Sequence, residues 1–553
     1  MKTTLTVLLL SGSAMWATPA SAGDAKVAQP VAVSRASGGA AARGLPGAGW
    51  ELQFSPDSRY LVYGGQYSKR LPNGPLVEIA PPPACSNMAS SFVITDDSQT
   101  VLFTCPAFSG TPNDLWAVPI AGPPSAAVLL SAAPTAPYEL HEFYPSTTAG
   151  RVFYTMPRLE PFRLDMYSVP VGGPAAAGVV ISATLAEGGQ VRSPYPLTSS
   201  SRVLYHRWRP SSLGGDIWIT DPDAPNAVAV GVPPASHPFT SDFRVSPDEE
   251  YLVWASADEQ EDYWLYSAPI STPPGAAIQL NAAVPQSALA GHFAISPDSA
   301  RVAYVANQEN LAKRELFSVP IVGPGSSSVN LSAFPQLWEP AIAGTGFTPD
   351  SAWVLYLGWR EVYGRKDLYG VPAGGPSTAN VRINPVGEAA EEVGWYELIP
   401  DSSDVLLSMH GASPEYDLRC HRGSWLGAPG NATTLWTERF RLQGYGIGCK
   451  WAAESRGALT IAENPSNGVL TLWLAHGEGP VDQRPKRLLD SSQFELNFDP
   501  FWGSKFILSP DGRYVAYLGT PLGGDFGIWA LPLPFFWDGF ESGGAGHWSV
   551  LQP

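Results

Sequence analysis

Short runs of β-branched, aliphatic and aromatic residues alternate with polar positions along this chain, and most runs end at a cluster of Ser, Pro, Asp or Gly. A period of two points to strands rather than helices. The clearest run, Phe54-Ser-Pro-Asp-Ser-Arg-Tyr-Leu-Val-Tyr63, returns as Val245-Ser-Pro-Asp-Glu-Glu-Tyr-Leu-Val-Trp254 and Ile295-Ser-Pro-Asp-Ser-Ala-Arg-Val-Ala-Tyr304. It returns again at Phe347 to Tyr356 and at Leu508 to Tyr517, and degenerate copies at Thr95, Pro145, Leu197, Ile399 and Ala452 bring the count to ten. With the turn Asp or its equivalent as marker, the copies fall at 57, 97, 148, 199, 248, 298, 350, 401, 454 and 511. After a first interval of 40 the spacing stays between 49 and 57.

Each Ser-Pro-Asp reads as a tight reversal. Pro presets φ at the second turn position, and the Asp and Ser side chains bond to nearby backbone amides. Apolar runs on both sides make it a hairpin. A third strand follows, beginning with an acid in Asp114-Leu-Trp, Asp165-Met-Tyr, Asp216-Ile-Trp, Asp262-Tyr-Trp, Glu315-Leu-Phe and Asp367-Leu-Tyr, with Gly527-Ile-Trp as its last copy. Val-Pro-x-x-Gly-Pro then leads to a short fourth run such as Val128-Leu-Leu. Four short antiparallel strands in about fifty residues make one propeller blade. The fold expected is all-β, a β-propeller of four-stranded antiparallel blades, its ten repeats placed in two abutting rings rather than one large ring because single rings usually hold four to eight blades. The short first copy predicts that an N-terminal strand completes a blade begun by C-terminal ones. The aromatic residues Trp116, Tyr167, Trp218, Trp264, Phe317, Tyr369 and Trp529 recur at one blade position and are expected to fill the seams between blades.

Composition agrees with this pattern. The 553 residues include 55 Gly and 55 Pro, which disfavours a helical bundle, while 44% hydrophobic content supplies a core. The net charge of -17, with no basic run longer than Lys313-Arg314, argues against nucleic acid as partner. Residues 1–22 read as a secretory signal peptide, with Lys2, an apolar stretch through Leu10 and a small-residue cleavage site at Ala20-Ser21-Ala22. Residues 23–49 form an Ala/Gly-rich linker, 50–534 the repeats and 535–553 an aromatic tail. No membrane span is expected, and the mature chain is expected to be exported to the periplasm or the medium. Cys85 with Cys105 and Cys420 with Cys449 then form two local disulfides, as suits an oxidising compartment.

The Ser-Pro-Asp-Gly motif followed by an aliphatic strand and an Asp-Ile/Leu-Trp/Tyr strand resembles the TolB-like propeller family over residues 50 to 534. The resemblance implies the fold but not one activity, because related blades occur in periplasmic scaffolds, peptidases and some polysaccharide lyases. It does not extend to the α/β domain that precedes the propeller in TolB itself. The tail from Phe535 to Ser549 looks like a short C-terminal segment found on diverse exported bacterial proteins.

Motifs for chemistry are scarce. The chain has no Gly-x-Ser-x-Gly elbow, no His-Glu-x-x-His and no phosphate-binding glycine loop. Six residues before each turn marker stand Glu51, Ser91, Glu142, Ser193, Asp242, His292, Gly344, Trp395, Gly448 and Lys505. With the first strand of each blade innermost, these residues surround one mouth, and Glu142, Asp242 and His292 are candidates to converge on a cation or a polar ligand. No cofactor is expected beyond such a channel cation. The leading expectation is a non-catalytic exported scaffold that binds a protein, peptide or glycan on its ring face. The alternatives are a metal-assisted polysaccharide lyase of TolB-like build and a structural envelope component.

Overall fold

The computed structural model describes residues 31–35 and then the chain from 52 to 533 with interruptions, among them 80–90, 282–292 and 443–448. Residues 1–22, Cys85, His292 and the tail 535–553, each of which carried an expectation, lie outside the described residues. Among the described residues strands dominate, interrupted by four single turns of 3-10 helix. They form nine hydrogen-bonded sheets, mostly of four antiparallel strands, and one eight-stranded sheet joins two blades, so the blades number ten. The third blade (Glu142 to Val180) and the fourth (Gln190 to Gly231) join where Leu164 pairs in parallel with Gln190.

The Ser-Pro-Asp tracts fold as their chemistry dictates. In the first blade Ser55 Oγ donates to Asp57 Oδ1 at 2.7 Å, and the same carboxylate oxygen accepts the Arg59 N–H at 3.0 Å. The Tyr60 N–H returns to Ser55 Oγ at 2.9 Å, closing the reversal. The residue after the Asp takes a left-handed conformation, with φ of 60° at Ser58, 61° at Ser98 and 61° at Ser299. That backbone turns the serine towards the preceding blade. The Asp57 N–H donates to Ser98 Oγ at 2.9 Å, the Asp248 N–H to Ser299 Oγ at 3.0 Å, and the Asp298 N–H to Ser351 Oγ at 2.9 Å. The repeated serine therefore ties neighbouring turns together as well as shaping its own. Between the fourth and fifth blades Glu249 takes this place, and its carboxylate accepts the Thr198 N–H at 2.6 Å and the Ser199 N–H at 2.9 Å.

The Val-Pro-x-x-Gly-Pro turns dock in a similar way. Gly173 has φ +65°, and a Cβ there would lie 2.3 Å from Val128 Cγ1 on the outer strand of the preceding blade, so only glycine fits. The Gly-Pro bonds after Gly122, Gly173, Gly323 and Gly375 are cis.

Apolar seams hold the blades together. Val253, Ala255 and Leu265 of the fifth blade pack on Phe293, Val302, Tyr304 and Phe317 of the sixth, as the flanking blades do on their own neighbours. No break at this seam marks off two groups of five. The last blade packs on the first through Tyr514, Ala516 and Ala530 against Leu52, Phe54 and Leu61. The exchanged N-terminal strand is present: Val31–Arg35 pairs with the strand Gly527–Pro532, with Val31 opposite Ala530 and Arg35 opposite Gly527. Part of the segment 23–49, expected to be a linker, is thus a strand of the repeat array, and among the described residues it is the outer neighbour of Gly527–Pro532.

The aromatic pairs sit in the seams as expected, with Tyr154 stacked on Tyr167 at 5.3 Å, Tyr304 on Phe317 at 5.7 Å and Tyr356 on Tyr369 at 5.6 Å. The fifth blade corrects one assignment. Its seam residue is Tyr266, which pairs with Trp254, whereas Trp264 stands where other blades carry the third-strand acid. The run Asp262-Tyr-Trp-Leu-Tyr offers two aromatics two residues apart, and only strand register separates them.

The predicted Cys420–Cys449 disulfide is formed, with Cα atoms 6.1 Å apart. Cys105 lies in the strand Thr100–Pro106.

Candidate functional site

Each blade has two ends. The Ser-Pro-Asp end is closed by short turns that bond to one another. The other end carries the longer connections, and there the first strands depart from regular pairing. In the fourth blade the ladder shifts register between Arg192 and Tyr195, and in the fifth between Thr240 and Asp242. In the seventh it shifts between Ala343 and Gly346, and in the eighth between Val393 and Trp395. Such a bulge adds a residue, bends the strand and re-aims the side chains beside it. The four bulges include or adjoin Ser193, Asp242, Gly344 and Trp395, all members of the row six residues before the turn marker.

Two members of that row meet across blades. Ser193, left-handed at φ 50°, donates its N–H to Glu142 Oε2 at 3.2 Å. Asp242 is partly exposed and has Arg244 Nε 3.9 Å away. The Arg244 guanidinium in turn lies over the Phe293 ring of the sixth blade at 4.9 Å. Glu142 and Asp242 thus stand on the first strands of the third and fifth blades.

Among the described residues, Tyr195 (43% exposed) and Trp395 (54%) are the two large aromatic side chains that stand open to solvent, and both belong to bulged first strands. Lys450 Nζ lies 5.5 Å from the Trp395 ring and 4.0 Å from Glu397. Burial pushes the Glu397 carboxyl above its ordinary range, and the lysine offsets part of that rise. The row six residues before the turn marker contains Trp395 but not Tyr195, and nothing in the sequence separates an aromatic in a bulge from one in a seam.

Two histidines occupy the same end. His206, on the second strand of the fourth blade, is pushed down to about 4 by burial, with Arg192 adding to the effect and Asp216 opposing it, so its ring is neutral near pH 7. His237 stacks on Trp264 at 3.5 Å, and its Nδ1 lies 2.8 Å from the Tyr266 hydroxyl. Among the described residues no group of three or more His, Cys, Asp or Glu is placed to hold a metal ion. Nor is any helix among them long and apolar enough to cross a membrane.

No protein-family model and no curated protein matches the sequence. Solved structures that resemble the fold include a eukaryotic initiation factor at 12% identity, covering 79% of this chain and 94% of that one with a TM-score of 0.46. A prolyl endopeptidase matches at 10% identity over 69% of this chain with a TM-score of 0.35, and the chain spans only 54% of that enzyme's length. A candidate TolB from Agrobacterium tumefaciens matches at 15% identity, covering 48% of this chain and 85% of that one with a TM-score of 0.27. At these identities and scores none of the three likenesses bears on activity.

Proposed function

We propose that this chain is an exported, non-catalytic propeller scaffold that binds a protein, peptide or glycan at the strand end opposite its Ser-Pro-Asp turns. The observation that carries the reading is the row of bulges in the first strands of the fourth, fifth, seventh and eighth blades. Regular ladders suffice to build a blade, so bulges at corresponding positions on one end support a role for the side chains they re-aim. The partly exposed Asp242 and the exposed Tyr195 and Trp395 give that end both polar and aromatic contacts.

The test is binding of the purified mature protein to glycan and peptide arrays, alongside an E142A/D242A/H292A triple variant and a separate Trp395→Ala variant. Retained folding with at least tenfold weaker capture of the same ligands is the expected result. Unchanged capture by both variants sinks the site. An array ligand that is cleaved rather than held moves the chain to the lyase reading, and the products identify the bond broken. Export is checked by locating the protein in the periplasm or medium and reading its mature N-terminus, expected after Ala22.

A further inference from the structure

The acid that opens the third strand is half-buried or buried in blade after blade, and the blades neutralise it differently. In the seventh blade one arginine serves: Arg365 reaches Asp367 through Nε at 3.2 Å and Nη2 at 2.9 Å, and Asn384 adds a bond at 2.9 Å. In the sixth, Glu315 is met by Asn330 at 2.9 Å. The third and fourth blades each bring two arginines to one carboxylate. Asp165, 2% exposed, has Arg163 at 3.1 Å and Arg158 at 3.9 Å. Asp216, 6% exposed, has Arg207 at 2.5 Å and also Arg209.

One guanidinium balances one carboxylate, so the second arginine of each pair is surplus to neutralising the buried acid. The surplus residues are Arg158 and Arg209, 53% and 49% exposed, and each is the last residue of the second strand of its blade. Each stands two residues beyond the one paired with the acid position, where the fifth, sixth and seventh blades carry Asp258, Gln308 and Arg360, the last of which donates to the Ser332 carbonyl. The third and fourth blades, the two that join in one eight-stranded sheet, thus each aim a half-exposed arginine of this position at the buried acid. Across that sheet Arg158 pairs with Arg163, the next residue Leu164 with Gln190, and Gln190 with Trp208. At about 4.8 Å per strand, the backbones of Arg158 and Arg209 lie roughly 14 Å apart. Arg192 adds a third exposed guanidinium, lying over the Trp208 ring at 5.2 Å and donating to Gln190 Oε1 at 2.7 Å.

We propose that this end of the third and fourth blades is a binding site for an acidic glycan, whose carboxylate or sulfate groups are received by Arg158, Arg192 and Arg209. The proposal rests on the ligand-binding reading above and names a ligand class for it. Guanidinium forks match planar and tetrahedral oxyanions. The three strands that carry these residues are paired on both sides, so a peptide finds no free strand edge to extend. Recognition by side chains alone favours a polymer that holds its charges on stiff rings and loses little freedom on binding.

Full-length mature protein is titrated with dextran, carboxymethyl dextran and dextran sulfate, which share a backbone and differ in charge, and with poly-glutamate. The expected result is binding of both charged dextrans but not the neutral one, weakening as salt screens the contacts. Affinity for them should fall about tenfold for each arginine replaced in Arg158→Gln and Arg209→Gln. Arg163 and Arg207 remain to neutralise the two aspartates, so the unfolding midpoint of the double variant should be retained. Failure of wild type to bind either charged dextran, or equal binding by a folded double variant, overturns the proposal. Equal or tighter binding of poly-glutamate overturns the glycan assignment. Array capture that depends on Glu142, Asp242 and His292 while charged dextrans stay unbound leaves the broader reading standing and removes this one.

Discussion

The second and fourth blades place an aspartate at the same point of the third strand, Asp114 in one and Asp216 in the other, each two residues before a tryptophan. The residue across the ladder differs: Cys105 faces Asp114, and Arg207 faces Asp216. Burial pushes both carboxyls upward. At Asp114 a Ser131 hydrogen bond offsets only part of that rise, and the group stays above its ordinary value. At Asp216 bonds from Arg209, Arg207 and Trp218 outweigh burial and hold the group below it. One local sequence thus builds the same strand twice, and the cross-strand neighbour decides whether its acid is a burden or a support.

The largest expected effect comes from removing the support. Asp216→Asn leaves two guanidinium groups without their counter-ion and should cost about 3 kcal/mol at neutral pH, read from the urea midpoint at unchanged slope. The loss should shrink in acid. A carboxyl with a lowered folded pKa stabilises above its unfolded value of about 3.9, and that contribution disappears as pH falls through the folded value. A deficit that does not shrink at all as the pH is lowered from neutrality into strong acid would show that Asp216 acts through packing rather than charge.

At the opposite end of the blades, Ser299→Ala removes the acceptor of the Asp248 N–H and should cost about 1 kcal/mol. A hydroxyl does not titrate, so the same loss is expected from pH 5 to pH 8. This variant separates turn-end stability from the carboxylate effects.

Asp114→Asn tests the sign of the comparison. The raised folded pKa of Asp114 makes its contribution fully present below the unfolded value of about 3.9 and lost as pH rises through the folded value. The neutral amide should therefore raise stability at neutral pH and lose that advantage in acid. A destabilised Asp114→Asn protein at pH 7 would break the contrast between the two blades. The smallest change is expected for Arg209→Gln, within about 0.5 kcal/mol, because Arg207 still meets Asp216.

Much of the candidate site was legible in the sequence as positions. Counting six residues back from each turn picks out the bulged places in four blades, because the turn fixes the register of the first strand. The bulges themselves were not legible: an extra residue at Ser193 or before Trp395 leaves no mark that differs from ordinary loop composition. The bond from the Ser193 N–H to Glu142 spans two blades and has no signature in either. The left-handed serines after Asp97, Asp298 and Asp350 read as turn residues, while their links to the preceding blade depend on how far apart adjacent blades settle.

The glycine-rich 23–49 segment misled because composition describes a stretch by its average, and Val31–Arg35 is a strand only in partnership with Gly527–Pro532. By itself the sequence determined the blade, its turns and its tenfold repetition. Those depend on period-two patterning and on Pro, Asp and Gly acting over a few residues. The tertiary structure decided which N-terminal residues form the strand that completes the last sheet, which blades fuse at Leu164 and Gln190, and which acids gain two arginines. Each of those outcomes depends on groups that are distant along the chain and become neighbours only when the sheets pack, so local pattern carries no record of them.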